Sequence, residues 1–147
     1  MAEYRRPDWF TRNVMNPALE LLIGLGVSAF GSRVLVVRGR RSGKEYTTPV
    51  NPLTFEGARY LVAPRGETQW VRNIRASGEG ELRLGGKRER IRVREVPDEE
   101  KEPILRAYLK KWKWEVGQFF QGVSHDSPAE EVRGIAGLHP VFRIEGE

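Results

Sequence analysis

Val34-Leu-Val-Val-Arg-Gly-Arg-Arg-Ser-Gly-Lys-Glu-Tyr-Thr-Thr-Pro49 decides how this chain folds. An apolar, mostly β-branched run enters a turn marked by Gly39, Ser42 and Gly43, and a β-prone run leaves it. Two such runs joined by a short turn read as a hairpin, and hairpins build antiparallel sheets. The turn is also crowded with charge, because Arg38, Arg40, Arg41 and Lys44 all fall in or beside it. Arginine grips phosphate bidentately, and a glycine turn can face backbone N–H groups outward, so such a turn suits an anion. A turn that is basic only for solubility is the competing reading. A nucleotide-binding P-loop does not fit: that motif needs four residues between its glycines and a Ser or Thr after the Lys. Here three residues separate Gly39 from Gly43, and Glu45 follows Lys44.

Outward from the hairpin, the β pattern continues. Glu45 to Phe55 forms the second strand, and Pro49 and Pro52 confine it to a sheet edge or put bulges in it. Glu56-Gly57 is a turn, and Arg59 to Ala63 is a third strand. Thr68 to Ala76 forms a short helix with Trp70, Val71 and Ile74 facing inward. Glu81 to Leu84 and Lys87 to Val96 make a hairpin around Gly85-Gly86, a dipeptide that tolerates positive φ. In its second arm Ile91 and Val93 point one way and Arg90, Arg92 and Arg94 the other. Asp98 caps a later helix whose stripe is Ile104, Leu105, Tyr108, Leu109 and Trp112. His139 to Ile144 is a closing strand. On the N-terminal side, Pro17 to Phe30 reads as a helix, with Asn16 as N-cap and Pro17 in the first turn. The sum is a mainly β, α+β chain. About six mostly antiparallel strands in sequence, with flanking helices, favour a barrel or curled sheet over a doubly wound fold.

The 147 residues suit one domain spanning 1–147 with a core of its own. Hydrophobic content of 39% and charged content of 31% exclude a disordered chain. Cysteine is absent and there are two histidines, His125 and His139, so neither a disulfide framework nor a metal site is expected. The net charge of +5 suits an anionic partner without choosing one. Pro17 to Phe30 is shorter than the roughly 20 residues a bilayer span needs and is interrupted by Glu20. An interfacial helix is its alternative, although its polar face is poor in Lys and Arg, which counts against strong membrane binding. The chain is expected in the cytoplasm, with peripheral membrane contact as the variant.

Three further segments carry candidate chemistry. Ala63-Pro-Arg-Gly-Glu-Thr-Gln-Trp-Val-Arg-Asn73 joins a strand to a helix. The free N–H groups of that helix start suit an anion or a polar ring edge, and Trp70 is either a core residue or a stacking platform. Ser124-His125-Asp126-Ser127 contains hydrolytic residue types, but triad members converge from separate elements rather than from one loop. Trp112, Trp114, Phe119 and Phe120 are either core packing or the wall of a pocket for a flat substrate. Nucleic-acid binding is not expected, because no aromatic shares the basic face of Arg90, Arg92 and Arg94.

The two basic segments read together carry a resemblance. Gly39-Arg-Arg-Ser-Gly-Lys…Thr47-Thr-Pro-Val50, then Arg59-Tyr-Leu-Val-Ala-Pro-Arg-Gly66…Trp70-Val-Arg-Asn73, resembles the deazaflavin-dependent nitroreductase family over roughly residues 8–96. The closing strand fits as well. The resemblance implies a split β-barrel related to flavin-mononucleotide-binding oxidases. It implies coenzyme F420, a deazaflavin with a phosphate and an acidic oligoglutamate tail, as donor of hydride to a quinone, nitroaromatic or similar acceptor. By position, Arg40, Arg41, Ser42 and Lys44, leading into Thr48 and Pro49, would hold phosphate and tail. Ala63, Pro64, Arg65 and Gly66 would lie along the ring, and Trp70 and Asn73 would complete the pocket. Tyr46 stands where the family has a basic residue and is the candidate for a catalytic hydrogen bond to the acceptor. Pro64 and Arg65 replace a Ser and a Lys, and Pro64 brings no N–H. Tyr108, Trp112 and Trp114 stand where tyrosines line the acceptor site. Split barrels often pair through their sheets, which makes a homodimer the expected assembly. The competing expectations are a barrel for flavin mononucleotide or haem, and a non-catalytic deazaflavin carrier.

Overall fold

A computed structural model describes residues 32–146, and the expected helix at 17–30 lies outside them. Seven strands form one sheet in the order β2-β1-β5-β6-β7-β4-β3. They are β1 (Arg33–Arg38), β2 (Glu45–Val50), β3 (Leu53–Phe55), β4 (Ala58–Val62), β5 (Glu79–Leu84), β6 (Lys87–Glu95) and β7 (Val141–Gly146). Among the described residues three α-helices join them: α1 (Gln69–Ser77), α2 (Lys101–Val116) and α3 (Ala129–Gly134). Every strand pairing is antiparallel.

The expected strand over 45–55 is two strands. β2 ends at Val50 and β3 begins at Leu53, and they occupy opposite edges of the sheet. The step from Val50 to Leu53 spans at most about 10–11 Å of extended chain. The sheet therefore curls until its edges nearly meet at Asn51 and Pro52, which is the geometry of a split barrel. Pro52 has no N–H for a ladder, and the chain leaves one edge there to start the other. Ser32 donates to Asn51 Oδ1 across 2.8 Å and pins this crossing.

Alternation inside the strands sorts the core. Leu35 and Val37 of β1, Leu61 of β4, Leu82 of β5, Ile91 of β6 and Phe142 of β7 meet Val71 and Ile74 of α1 in one cluster. The opposite residues of β4 and β7, Tyr60, Val62 and Val141, meet Leu105, Tyr108, Leu109 and Trp112 of α2 in a second. Burial on both faces explains why β4 reads as an apolar run rather than an alternation. In β6 Ile91 is buried while Arg90, Arg92 and Arg94 are exposed, as the alternation predicts. Asp98 does not act as the side-chain cap of α2. A 3₁₀ turn over Asp98–Glu100 precedes the helix, and the Asp98 carboxylate pairs with buried Lys101 at 2.7 Å. Among the described residues no helix is long and apolar enough to cross a membrane.

Candidate functional site

The basic turn is closed by its own backbone. Gly39 N–H donates to Lys44 O at 2.7 Å, and Gly43 N–H to Gly39 O at 2.9 Å. Gly43 is left-handed at φ 74°, which glycine adopts without a Cβ penalty. Ser42 serves the turn as well, since its Oγ accepts the Lys44 N–H at 3.2 Å. Arg38 Nη1 donates to Gly43 O at 3.1 Å.

Arg40 ties the turn to α1. Its backbone N–H donates to Asn73 Oδ1 at 3.1 Å, and its Nη1 donates to the same oxygen at 2.8 Å and to Gln69 Oε1 at 3.0 Å. Asn73 is buried, so its amide acts as a fixed bracket rather than a surface cap. Arg41 and Lys44 are exposed, and among the described residues neither forms an ion pair. The turn thus has two guanidiniums tied down, those of Arg38 and Arg40, and two cations, Arg41 and Lys44, facing solvent.

That helix start is open. Thr68 is the N-cap residue of α1, in extended conformation, but its side chain makes no cap hydrogen bond. Its Oγ1 is buried and has no partner among the described residues. The first N–H groups of a helix have no intrahelical acceptor, so they and the Thr68 hydroxyl are available to a polar ligand.

The Ala63–Gly66 loop leads into this start. Ala63 N–H donates to Pro140 O at 2.9 Å, and Gly66 N–H to Ala63 O at 3.2 Å. Both groups are thereby spent inside the fold, and Pro64 has no N–H to offer. Gly66 is buried at φ 84°, and a Cβ there would come within 3.3 Å of Leu138 O. The Arg65 guanidinium lies over the Phe119 ring at 4.1 Å, a cation–π contact between this loop and the turn after α2.

Tyr46 projects from β2 with half of its surface exposed, the largest open aromatic among the described residues. A Cβ on Gly39 would lie 2.7 Å from Tyr46 Cε2, so the absent side chain is what lets the ring lie across the turn. Thr48 and Pro49 follow on β2, half-buried. Trp70 is half-buried, packs on the barrel core and sits 5.9 Å from Phe142, tilted by 56°.

Tyr108 and Trp112 do not stand at a surface. They are 1% and 0% exposed in the α2 core, because the stripe from Ile104 to Trp112 is turned onto the sheet. They therefore line no surface, contrary to the expected acceptor-site role, and the Trp114 side chain lies outside the described part. The Ser124–Ser127 segment is a self-bonded turn: Ser124 N–H donates to Ser127 Oγ at 2.9 Å, and Ser124 Oγ bonds Asp126. Arg106 holds it through the carbonyls of His125 and Ser127.

Sequence reasoning missed Thr68, Gln69 and His139. Gln69 lies one turn before Asn73 on α1, a spacing that could have marked it as a second bracket. His139 had no local signal. It is 3% exposed, stacks on Phe120 at 4.1 Å and 14°, and its Nδ1 lies 3.4 Å from Ala63 O. Burial, with the charge of Lys101 as a lesser cause, pushes the imidazole down to about 4, against a smaller upward pull from the carbonyls of Ala63 and Pro64. The ring is therefore neutral at pH 7.

The sequence model of the F420H(2)-dependent quinone reductase family matches residues 18–118. No curated protein matches the chain. Among solved structures, an F420-H2 dependent reductase (FDR-A) is similar with a TM-score of 0.56 and 20% identity, covering 78% of this chain and 93% of that one. A chain described as a domain-swapped dimer gives 0.56 and 20%, covering 95% and 100%. The conserved hypothetical protein Rv2991 from Mycobacterium tuberculosis gives 0.55 and 19%, covering 91% and 82%. At these identities the structural likeness speaks for the split-barrel fold alone.

Proposed function

The chain belongs to the F420H(2)-dependent quinone reductase family, and we propose that it passes hydride to a quinone at the barrel mouth formed by Tyr46, the Gly39–Lys44 turn and the start of α1. It is an F420-dependent reductase, and coenzyme F420 is its cofactor. The residues present fit that coenzyme. Its phosphate and acidic tail need fixed cations, which Arg41 and Lys44 supply on a turn braced by Arg40. Its ring has a polar edge, for which the uncapped α1 and the unpartnered Thr68 hydroxyl supply donors. The observation that carries the proposal is the Arg40–Asn73 bracket, since it holds the cationic turn and the helix start in one place.

The coenzyme supplies the hydride. What the chain would supply is orientation, for which effective molarity is the main lever. Ala63 to Gly66 and Trp70 set the position of the ring. Tyr46 offers its hydroxyl to the acceptor oxygen as a hydrogen-bond donor, and Phe119 with Arg65 forms the flat side of the acceptor space. Tyr108 and Trp112 support that side from the core. Nitroaromatics are the second acceptor class, electron-poor and flat like quinones. Pairing of two barrels belongs to the same proposal, because a similar fold is described as a domain-swapped dimer. Light scattering on the purified protein tests it.

Titration of the protein with F420 and with flavin mononucleotide, followed by fluorescence, tests the cofactor site. Menadione and a nitroaromatic are then added separately to the reduced complex. Tight F420 binding and oxidation by menadione are expected. Preference for flavin mononucleotide would overturn the site, and binding without turnover would make the protein a carrier. Arg41→Ala with Lys44→Ala should weaken F420 binding by about 1–3 kcal/mol, the range of charge-assisted contacts, and flatten its salt dependence.

A further inference from the structure

Beneath the Ala63–Gly66 loop runs a shelf made by residues 136–140. Lys101, buried under it, donates from Nζ to Ala136 O at 2.9 Å and pairs with Asp98 at 2.7 Å. Pro140 O accepts the Ala63 N–H at 2.9 Å, and Leu138 O faces Gly66 so closely that a Cβ there would meet it at 3.3 Å. His139 is the one side chain of the shelf that bonds to the loop.

Its geometry selects a tautomer. Nδ1 faces the Ala63 carbonyl, while Nε2 is buried with no partner among the described residues. A proton on Nδ1 satisfies Ala63 O. A proton on Nε2 would instead strand a buried donor and turn a lone pair toward the carbonyl, which costs more than leaving an acceptor bare. Stacking on Phe120 fixes the plane of the ring, so the direction of the N–H is fixed too. Ala63 O also accepts from Gly66 N–H at 3.2 Å, and this carbonyl is therefore the point where shelf and loop are joined.

We propose that His139 is a positioning residue of the coenzyme site, setting the height of the Ala63–Gly66 loop through its Nδ1–H bond to the Ala63 carbonyl. The inference rests on the assignment of that loop to the deazaflavin ring. Hydride transfer depends on sub-ångström placement of the ring, so a residue that fixes the loop from below acts on the coenzyme without touching it.

Two substitutions separate positioning from packing. His139→Phe keeps a flat ring on Phe120 and removes the donor. His139→Asn keeps a donor near the Nδ1 position and removes the ring. Thermal stability, F420 affinity and amide exchange at Gly66 and Thr68 are measured for both. Positioning predicts that His139→Phe is the more stable variant yet binds F420 about five- to tenfold more weakly than wild type, the scale of one lost hydrogen bond. It also predicts that His139→Asn, although less stable, binds more tightly than His139→Phe, with loop exchange following affinity. Affinity and exchange that follow stability instead, or wild-type affinity in His139→Phe, would overturn the proposal. If wild type itself fails to bind F420, the ring assignment falls, and slow loop exchange in His139→Asn with fast exchange in His139→Phe would still show the strut.

Discussion

Asn73 is the bracket between the basic turn and α1. Its single side-chain oxygen accepts both the backbone N–H and the Nη1 of Arg40, across a separation of 33 positions. Asn73→Ala would leave these donors without their acceptor and is expected to cost about 1–3 kcal/mol, read from urea midpoints. F420 affinity should fall with it, because the turn loses its bracket. His139 makes stability depend on pH. Its folded-state pKa is held near 4, chiefly by burial, below the ordinary 6.5. Between those values the unfolded chain takes up a proton that the folded protein refuses. Stability is therefore fully present above pH 6.5 and is lost as the pH falls toward 4, at up to about 1.4 kcal/mol per pH unit from this one group. The groups facing it are the Lys101 ammonium, which opposes protonation, and the carbonyls of Ala63 and Pro64, which favour it. Unfolding midpoints at pH 7 and pH 4.5 should differ in wild type and differ less in His139→Phe. Asn73 was legible in the sequence because it sits in a recognisable motif. His139 was not, because its partner at Ala63 is 76 positions away and nothing near it in the chain marks the contact.

At the scale of elements, α1 matters most. Its hydrophobic positions Val71 and Ile74 were readable from their spacing, and so was its approximate extent. What spacing does not report is that Thr68 leaves the helix uncapped, since an N-cap residue usually accepts from the N–H groups of the first turn. Thr68→Asp should supply that cap and a favourable charge at the positive end of the helix, raising stability by about 1 kcal/mol. The same carboxylate would repel an anionic ligand and occupy the donors meant for it. A variant with a higher melting temperature and weaker F420 binding is the expected result. Equal or tighter F420 binding would remove the helix start from the site. α2 shows the opposite limit. Its stripe was correctly read as apolar, yet an apolar stripe on a helix fits a pocket wall and a core equally well, and only the packing of Tyr108 and Trp112 against β4 and β7 decides for the core.

The whole molecule depends on the closure of one sheet. Leu61 stands at its centre, fully buried among residues from β1, β5, β6, β7 and α1. Leu61→Ala is expected to cost about 2–5 kcal/mol, through lost transfer energy and the cavity left behind. Calorimetry should show this as a lower melting temperature. The hairpins, the alternation of β6, the helix after the Ala63–Gly66 loop and the order of motifs that marks the family are all legible in the chain. Each of these is written in a few neighbouring residues, by side-chain period and turn chemistry. The division of residues 45–55 between the two edges of the barrel, the bracing of Arg40 while Arg41 and Lys44 stay open, and the contact of His139 with Ala63 O come from the packed molecule. Those contacts join positions tens of residues apart. They exist because a curled sheet brings its edges and its connecting loops together, and no local pattern encodes that meeting.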